Sequence, residues 1–424
     1  MLHLFAIALK SAWNRRLTLG VTLIAIALSV ALLVGIERIR NDAREGFAQS
    51  VSGTDLVIGA RTSPVQLMLY SVFRIGEATN NIRWESFQDI AAHPSVAWAI
   101  PLSLGDSHRG FPVLGTSPDY FEYFRYGASQ ALSLSEGRRF AGGVEGVFEA
   151  VLGAEVAERL GYRPGDKIVL SHGHGGSGLA EHGDKPFIVV GLLARTGTPV
   201  DRTVHVNLEA IEAIHLDWQG GAQLPGFSIP AEFVRKFDLA PKKITAALVG
   251  LTNRAAVFKT QRFINEYEQE PLLAVLPGVA LDQLWQVLGV MEQTLLAVSA
   301  MVVLVGLSGL VAVILAGLNE RRREIAILRS VGARPRDIFL MLIVESLGMT
   351  LAGVVLGIAL LDIVTLFLGP WLQAQYGLVV HPVLITVDEL PLLGMVVGVG
   401  LLASLIPGYR AYRLSLADGL TPRL

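Results

Sequence analysis

Hydrophobic residues follow two different patterns along this chain. Four apolar runs, almost free of charge, lie at residues 17–36, 293–318, 338–368 and 390–408. As helices rising 1.5 Å per residue, such runs are long enough for a bilayer core of about 30 Å. Residues 37–292 instead alternate short apolar runs with polar turns. The pattern predicts an α-helical membrane protein with four transmembrane helices and a large domain inserted between the first and second helices.

The inserted domain is predicted to have a mixed α/β fold. Strand-like apolar runs bounded by turn residues occur at residues 55–58, 96–100, 167–170, 187–190 and 244–249. Helical spacing occurs at residues 153–160, 208–214 and 255–267. Residues 37–292 are enough for one large core or for two subdomains.

Lysine and arginine in the short flanks predict the orientation of the spans. The N-terminal flank, residues 319–337 and the tail at 409–424 are rich in these residues, whereas residues 369–389 contain neither. The positive-inside bias therefore predicts cytoplasmic N and C termini, an extracytoplasmic inserted domain and a short outer loop at 369–389. Residues 1–16 form either an amphipathic helix on the inner membrane surface, in contact with lipid, or a plain extension of the first span.

Overall composition excludes several functions. The net charge is −2 and the arginines cluster at membrane edges, so no nucleic-acid partner is expected. With no cysteine, the chain has no disulfide and no thiolate chemistry. It contains no Gly-Lys pair and hence no P-loop for nucleotide phosphates. No nucleophile, base and orienting group stand together, so we do not expect an enzyme, and no cofactor is predicted on this chain apart from a candidate zinc ion.

Residues 319–337 carry six arginines between two apolar spans. Residues 320–333, followed by Asp337 and Glu345, resemble the signature of the MacB/FtsX/LolC-type (type VII) ABC transporter permeases. Residues 134–140, 151–157 and 164–168 resemble the periplasmic core domain of that family. The four-span layout with one large outer domain is similar as well.

The resemblance implies a permease of the bacterial inner membrane that dimerises with a second copy or a related permease and binds a separate cytoplasmic ABC ATPase. ATP used by that partner would rearrange the outer domain to extract or export a lipoprotein or another substrate, with a periplasmic adaptor, lipoprotein or substrate-binding protein as a further partner. The alternatives are a mechanotransmitter that activates a periplasmic enzyme or receptor, and a metal-linked transport system. The sequence does not identify the cargo.

In this family the coupling element is a short cytoplasmic helix between the second and third spans. The positions that correspond to it here are Glu320, Arg321, Arg322, Arg323, Glu324, Ile325, Leu328, Val331 and Gly332. Ile325, Leu328 and Val331 recur every three residues and are predicted to dock in a groove of the ATPase. The arginines either bind acidic groups and lipid headgroups or only enforce the topology.

Two further sets of residues stand out in the spans. Gly353 and Gly357, and likewise Gly394 and Gly398, have the spacing that lets membrane helices approach closely, within a bundle or across a dimer. Glu345 lies inside the third span, where an acid is either a proton site or a polar partner within the bundle.

The most distinctive outer segment is the glycine-rich stretch at residues 171–184. It offers His172, His174 and His182, with Asp184 nearby, as nitrogen and oxygen ligands of the type that zinc accepts. The alternative is a solvated hairpin loop with incidental histidines, because the spacing matches no fixed metal motif.

Overall fold

The computed structural model describes residues 16–173, 182–219, 222–223, 229–320, 322–376 and 385–413. Most of the predicted N-terminal helix, the end of the tail, Arg321 and His174 therefore lie outside the described residues. The chain divides into two compact units. The first comprises Met1–Asp42, Gly289–Gln375 and Val379–Leu424, and the second comprises Ala43–Leu288 and Tyr376–Leu378.

The helices are, in chain order, α1 (Arg16–Gln49), α2 (Pro64–Ser71), α3 (Trp84–Ala91), α4 (Asp119–Tyr123), α5 (Ala154–Leu160), α6 (Leu208–His215), α7 (Ala231–Val234), α8 (Val257–Asn265), α9 (Pro277–Glu320), α10 (Arg322–Ser330), α11 (Pro335–Tyr376) and α12 (Leu390–Arg413). The longer strands are β1 (Leu56–Ala60), β3 (Val96–His108), β4 (Phe111–Thr116), β7 (Leu134–Gly137), β8 (Glu149–Leu152), β11 (Phe187–Leu193), β12 (Val204–Asn207), β16 (Ala246–Leu251) and β17 (Leu272–Val275). The two-residue strands are β2 (Ile82–Arg83), β5 (Arg125–Tyr126), β6 (Gln130–Ala131), β9 (Lys167–Ile168), β10 (Ser171–His172), β13 (Trp218–Gln219), β14 (Ala222–Gln223) and β15 (Lys243–Ile244). Short 3₁₀ turns occur at Gly143–Gly146, Pro199–Arg202, Arg254–Ala256 and Val387–Glu389.

The first unit is a helical bundle. Its spans lie in four long apolar helical segments, Arg16–Asp42, Pro277–Leu318, Pro335–Leu372 and Val387–Tyr412. Their inner faces form one apolar core that includes Val30, Leu310, Ile358 and Val396, while many other apolar side chains face outward. Outward apolar residues suit a helix that meets lipid instead of water. The chain is therefore a multi-pass membrane protein.

Three helices are longer than the apolar runs that predicted them. α1 continues past residue 36 to Gln49, α9 begins at Pro277 instead of near 293, and α11 continues into the predicted outer loop as far as Tyr376. Hydropathy indicates which part of a helix suits hydrocarbon. The helix itself can continue beyond that part, because its backbone hydrogen bonds do not depend on apolar side chains. The predicted membrane limits of the spans are thus separate from the helix ends and stay predictions.

The second unit is built around one mixed sheet of eleven strands. Its main path runs β17-β1-β16-β3-β4-β12-β8-β11-β7, with β10 paired to β3 and β9 paired to β11. The β4–β12 and β8–β11 pairs are parallel, and the other pairs are antiparallel. All five predicted strand runs overlap strands of the structure, and the predicted mixed α/β fold is confirmed.

Apolar residues cover both faces of the sheet. In β1, Val57 belongs to one core cluster, whereas Leu56 and Ile58 belong to another. Successive side chains of a strand point to opposite faces, so β1 contributes to two apolar layers. A continuous apolar run is expected for a strand that is buried on both sides.

Candidate functional site

The predicted coupling segment folds as α10, a separate helix between α9 and α11. It ends in a tight turn, where Gly332 has a φ of 106° and the Ala333 N–H donates to the Leu328 carbonyl. Only glycine adopts this conformation without strain. Pro335 then opens α11, and the Asp337 carboxylate accepts a hydrogen bond from the Arg334 N–H at 2.8 Å. These caps set the boundary between α10 and α11.

The predicted apolar stripe of α10 is divided between two faces. Ile325 is buried, with 5% of its surface exposed, and belongs to the core of the bundle. Val331 is 82% exposed, and Ile327, outside the predicted stripe, is 60% exposed. The side chain of Ile325 is therefore packed inside the bundle, and its assignment to the coupling segment stays a prediction. Leu328 is half-buried, and the exposed apolar edge consists of Ile327 and Val331, the residue that directly follows α10.

The glycine pairs of the spans have different surroundings. A Cβ at Gly353 would lie 2.4 Å from Ile26 Cγ2, and one at Gly357 would lie 2.6 Å from the Ala27 carbonyl oxygen, so both glycines pack closely on α1. A Cβ at Gly394 or Gly398 would meet nothing within 4 Å in the described part of the chain. On α12 the close contact is instead at Gly400, whose Cβ would lie 2.7 Å from Thr350 Cγ2.

An ion-pair network joins three elements of the bundle. Arg38 of α1 donates through Nε to Glu389 Oε1 at 2.6 Å, and through a terminal nitrogen to Asp362 Oδ1 of α11 at 2.5 Å. A second terminal nitrogen donates to the other Glu389 oxygen at 3.2 Å. Arg38 and Glu389 are both buried. Glu345 lies elsewhere on α11, half-buried and engaged with other polar groups.

A cluster of histidines lies in the outer unit. His172 of β10 is directly opposite Asp106 of β3 in the antiparallel register, and its Nδ1 lies 3.2 Å from Asp106 Oδ1. His215, the last residue of α6, places Nε2 at 3.7 Å from the same oxygen. The three ligand atoms all lie within 4.8 Å of one another. The fold thus joins a predicted ligand, His172, to two residues that were not predicted, Asp106 and His215.

His182 lines the same cluster. It is fully buried, and its ring centroid lies 5.0 Å from that of His215 and 4.2 Å from that of Trp218. Within the described ranges, neither of its ring nitrogens has a hydrogen-bond partner. Burial and the neighbouring His215 lower the pKa of His182 to about 4, whereas the hydrogen bond that His172 donates to the Asp106 carboxylate raises the pKa of His172.

Asp184, the other predicted ligand, takes part in a different interaction. Its carboxylate pairs with the fully buried Lys185 at 3.2 Å, and Lys185 donates to Asp217 Oδ1 at 2.5 Å. Burial alone would raise the pKa of Asp217. The hydrogen bonds that it accepts from Lys185 and from the Ile229 N–H outweigh burial, so the pKa is lowered. This ion-pair group accounts for a charged lysine in the interior.

Asp106 and His215 were missed because no local pattern connects them to the histidine-rich segment. Asp106 lies on a strand far earlier in the sequence. His215 ends a helix that follows β11 and β12 along the chain. Only the pairing of β10 with β3 brings Asp106 opposite His172. The one signal in the sequence that could have indicated a further ligand was His215, at the end of a predicted amphipathic helix.

Four long apolar helices, an inserted α/β domain and a capped helix between the second and third spans define a membrane permease with a large outer domain. The model of the FtsX-like permease C-terminal domain matches residues 296–416, and the model of the MacB-like periplasmic core domain matches residues 19–229. These matches confirm the predicted resemblance. The chain belongs to the MacB/FtsX family of ABC transporter permeases.

Individual relatives carry the name MacB. The macrolide export ATP-binding/permease protein MacB of Azoarcus sp. (strain BH72) is 24% identical over 417 residues, 93% of this chain and 56% of that protein. MacB of Brucella abortus (strain 2308) is 31% identical over 125 residues, 30% of this chain and 18% of that protein. This chain thus spans less than two thirds of either relative. The crystal structure of the periplasmic region of MacB from Actinobacillus actinomycetemcomitans aligns with 55% of this chain and 94% of that chain, at 9% identity and a TM-score of 0.35.

Proposed function

We propose that this chain is the permease subunit of an ABC transporter in the bacterial inner membrane, with both termini in the cytoplasm. A separate cytoplasmic ATPase binds α10, and ATP hydrolysis there drives a conformational change of the outer domain. That change extracts or exports a lipoprotein or another substrate. The relatives are named as macrolide export ATP-binding/permease proteins, which supports an export function.

The two faces of α10 carry this proposal. Ile325 fixes the helix to the bundle core, and the opposite edge leaves Ile327 and Val331 exposed. A partner that holds the exposed edge can therefore move the bundle through the buried edge. Exposed apolar residues in a segment rich in arginine suit a protein partner with acidic groups near an apolar groove.

Helix continuity supports transmission to the outer domain. α9 is one helix of 44 residues, about 66 Å long at 1.5 Å per residue, and α1 has 34 residues. Each begins in one unit and ends in the other. Because a helix resists bending over a few turns, a displacement of the bundle is carried along both helices.

A dimer is supported by α12. The positions of Gly394 and Gly398 leave open space beside the described residues, and membrane helices pair through such small residues. A second permease copy or a related permease would pack there. Gly353 and Gly357 are already used within the chain.

The test reconstitutes the chain in liposomes with candidate ABC ATPases from the same genome. We expect complex formation and ATP-dependent release of lipoprotein or substrate. The double variant Ile327→Asp/Val331→Asp should lose ATPase binding and stay folded. Phe258→Asp makes the same change at an exposed apolar residue of the outer domain and is the matched control.

Normal ATPase binding by Ile327→Asp/Val331→Asp would contradict the coupling assignment. ATPase binding and ATP-driven motion without release of any cargo would favour the alternative, a mechanotransmitter that activates a periplasmic enzyme or receptor. Failure of the wild-type chain to bind any ABC ATPase would contradict both functions.

A further inference from the structure

We propose that Asp106, His172 and His215 of the outer domain form a binding site for a divalent transition-metal ion, with zinc as the ion of choice. The chemistry of the ligands supports the choice. Two imidazoles and one carboxylate suit zinc and its neighbours in the first transition row, whereas calcium and magnesium prefer oxygen ligands alone. The proposal is independent of the ATPase assignment.

Two of the three distances between the ligand atoms fit a metal ion at the centre, and all three atoms lie within 4.8 Å of one another. Two ligands bound at the zinc distance of about 2.1 Å and at the tetrahedral angle lie about 3.4 Å apart. In the structure Asp106 Oδ1 lies 3.2 Å from His172 Nδ1 and 3.7 Å from His215 Nε2. An ion can therefore enter with movements of a few tenths of an ångström at these two edges.

The hydrogen bonding of His215 leaves the correct nitrogen available. Its Nδ1 lies 2.7 Å from the Ile211 carbonyl oxygen. A carbonyl only accepts, so Nδ1 carries the proton and Nε2 presents a lone pair toward Asp106. Metal-binding histidines are commonly oriented in this way by a backbone carbonyl.

The surroundings also favour a cation. His215 is the last residue of α6, and the C-terminal end of a helix dipole is negative. Asp106 is buried with 5% of its side chain exposed, so an uncompensated carboxylate there would be costly. His182 adds two buried ring nitrogens that have no hydrogen-bond partner in the described part of the chain.

The backbone holds the ligands without the rest of the glycine-rich segment. Asp106 and His172 are fixed by the β3–β10 register, and His215 is fixed by a helix that packs on the sheet. His172 is 43% exposed, which leaves a path for an ion from solvent. The remaining coordination position lies beside His182 or is open to water or to a ligand from a partner.

The experiment measures zinc binding by the full-length chain in detergent, stripped with a chelator and titrated against a chromophoric competitor. We expect one zinc ion per chain. Loss of an outer partner of a ligand typically weakens metal binding about 10–100-fold, so we expect Asp106→Asn, His172→Ala and His215→Ala to weaken it by at least about 100-fold. Bound cobalt(II) should show the strong visible absorption of a four-coordinate site in the wild type, and this absorption should be lost in the three ligand variants.

Two control variants separate this site from incidental binding. His93→Ala removes another partly exposed histidine, and Asp184→Asn removes the acid that pairs with Lys185. Both should bind zinc as the wild type does. His172→Ala replaces the most exposed ligand and serves to check folding. If its metal-free form unfolds at the same temperature as the metal-free wild type, the variant is folded.

Failure of the wild type to bind zinc, or equal affinity in the three ligand variants, would overturn the proposal and leave His172 and Asp106 as a plain ion pair. Equal loss in Asp184→Asn and His215→Ala would also overturn it. In the wild type, zinc should raise the midpoint of thermal unfolding, because a ligand that binds only the folded state stabilises it.

Discussion

At the scale of single residues, this protein buries several ionisable groups and pairs most of them. Arg38 with Glu389 and Asp362, and Lys185 with Asp217, place opposite charges in direct contact. His205 is different, because it is fully buried and its Nε2 has no partner in the part of the chain that the structure describes. Removing one partner of an ion pair leaves a buried charge. His205 is instead neutral when folded, and protonation opposes its burial.

His205 should make the outer domain sensitive to acid. Burial and the nearby Arg74 lower its pKa from 6.5 to about 3. Below pH 6.5 the unfolded chain binds a proton that the folded domain does not, so stability falls as the pH falls toward the folded pKa. Between pH 7 and pH 5 this linkage amounts to roughly 2 kcal/mol.

The check compares urea unfolding of the wild type and His205→Leu at these two pH values. We expect the variant to lose less stability on acidification, whatever its stability at neutral pH. The other histidines are the same in both proteins, so their contributions cancel. An identical loss in both proteins would contradict the assignment of a neutral, buried His205.

Arg38 should be essential to the bundle. Arg38→Met leaves Glu389, and partly Asp362, buried without a cation, and breaking a buried pair in this way typically costs about 3–5 kcal/mol. We expect a clearly lower thermal unfolding midpoint in detergent. The double variant Arg38→Met/Glu389→Gln also removes the unpaired charge of Glu389, so it should regain part of the lost thermal stability. No recovery in the double variant would argue against the ion pair.

At the scale of elements, the sequence predicted which segments are helices and strands better than where they end. Strand runs such as residues 96–100 were identified, but β3 extends to His108, and this extension carries Asp106. The alternation of side chains is weak there because Gly105 and Asp106 interrupt the apolar pattern. One metal ligand was therefore hidden in a part of the strand that sequence patterning does not mark.

The α10 helix offers a direct test of its two faces. Ile325→Ala removes packed methyl groups from the bundle core, a type of change that costs about 2–4 kcal/mol. Val331→Ala, at an exposed position, should change stability by less than about 0.5 kcal/mol. Thermal unfolding of both variants in detergent tests this contrast, and equal effects would mean that the faces are misassigned.

The glycines of α11 and α12 should respond differently to enlargement. Gly357→Leu drives a side chain into the α1 backbone at the Ala27 carbonyl and should destabilise the bundle strongly. Gly398→Leu projects into open space and should preserve the fold but weaken dimerisation. Light scattering together with thermal unfolding distinguishes the two results. A destabilised Gly398→Leu monomer would contradict the proposed dimer seam.

At the scale of the whole molecule, hydropathy predicted the four spans because lipid imposes strict limits on helix length, whereas the orientation inferred from flank charge stays a prediction. The four spans followed from the length of the apolar runs, and the inserted α/β domain followed from its short apolar runs between polar turns. The division of the apolar residues of α10 between a buried and an exposed face could not be predicted. A stripe of apolar residues does not reveal whether the protein's own bundle or a partner covers it. The tertiary fold assigned Ile325 to the bundle and left Ile327 and Val331 outside.

We propose above all that ATP hydrolysis by a partner ATPase bound to α10 changes the conformation of the outer domain. Hydrogen–deuterium exchange of residues 43–288, measured on the liposome-reconstituted complex with and without ATP, tests it most directly. We predict that ATP alters exchange in the outer domain of the wild type and of Phe258→Asp, and leaves Ile327→Asp/Val331→Asp unchanged. Identical exchange with and without ATP in the wild type, while the bound ATPase is active, would contradict the claim.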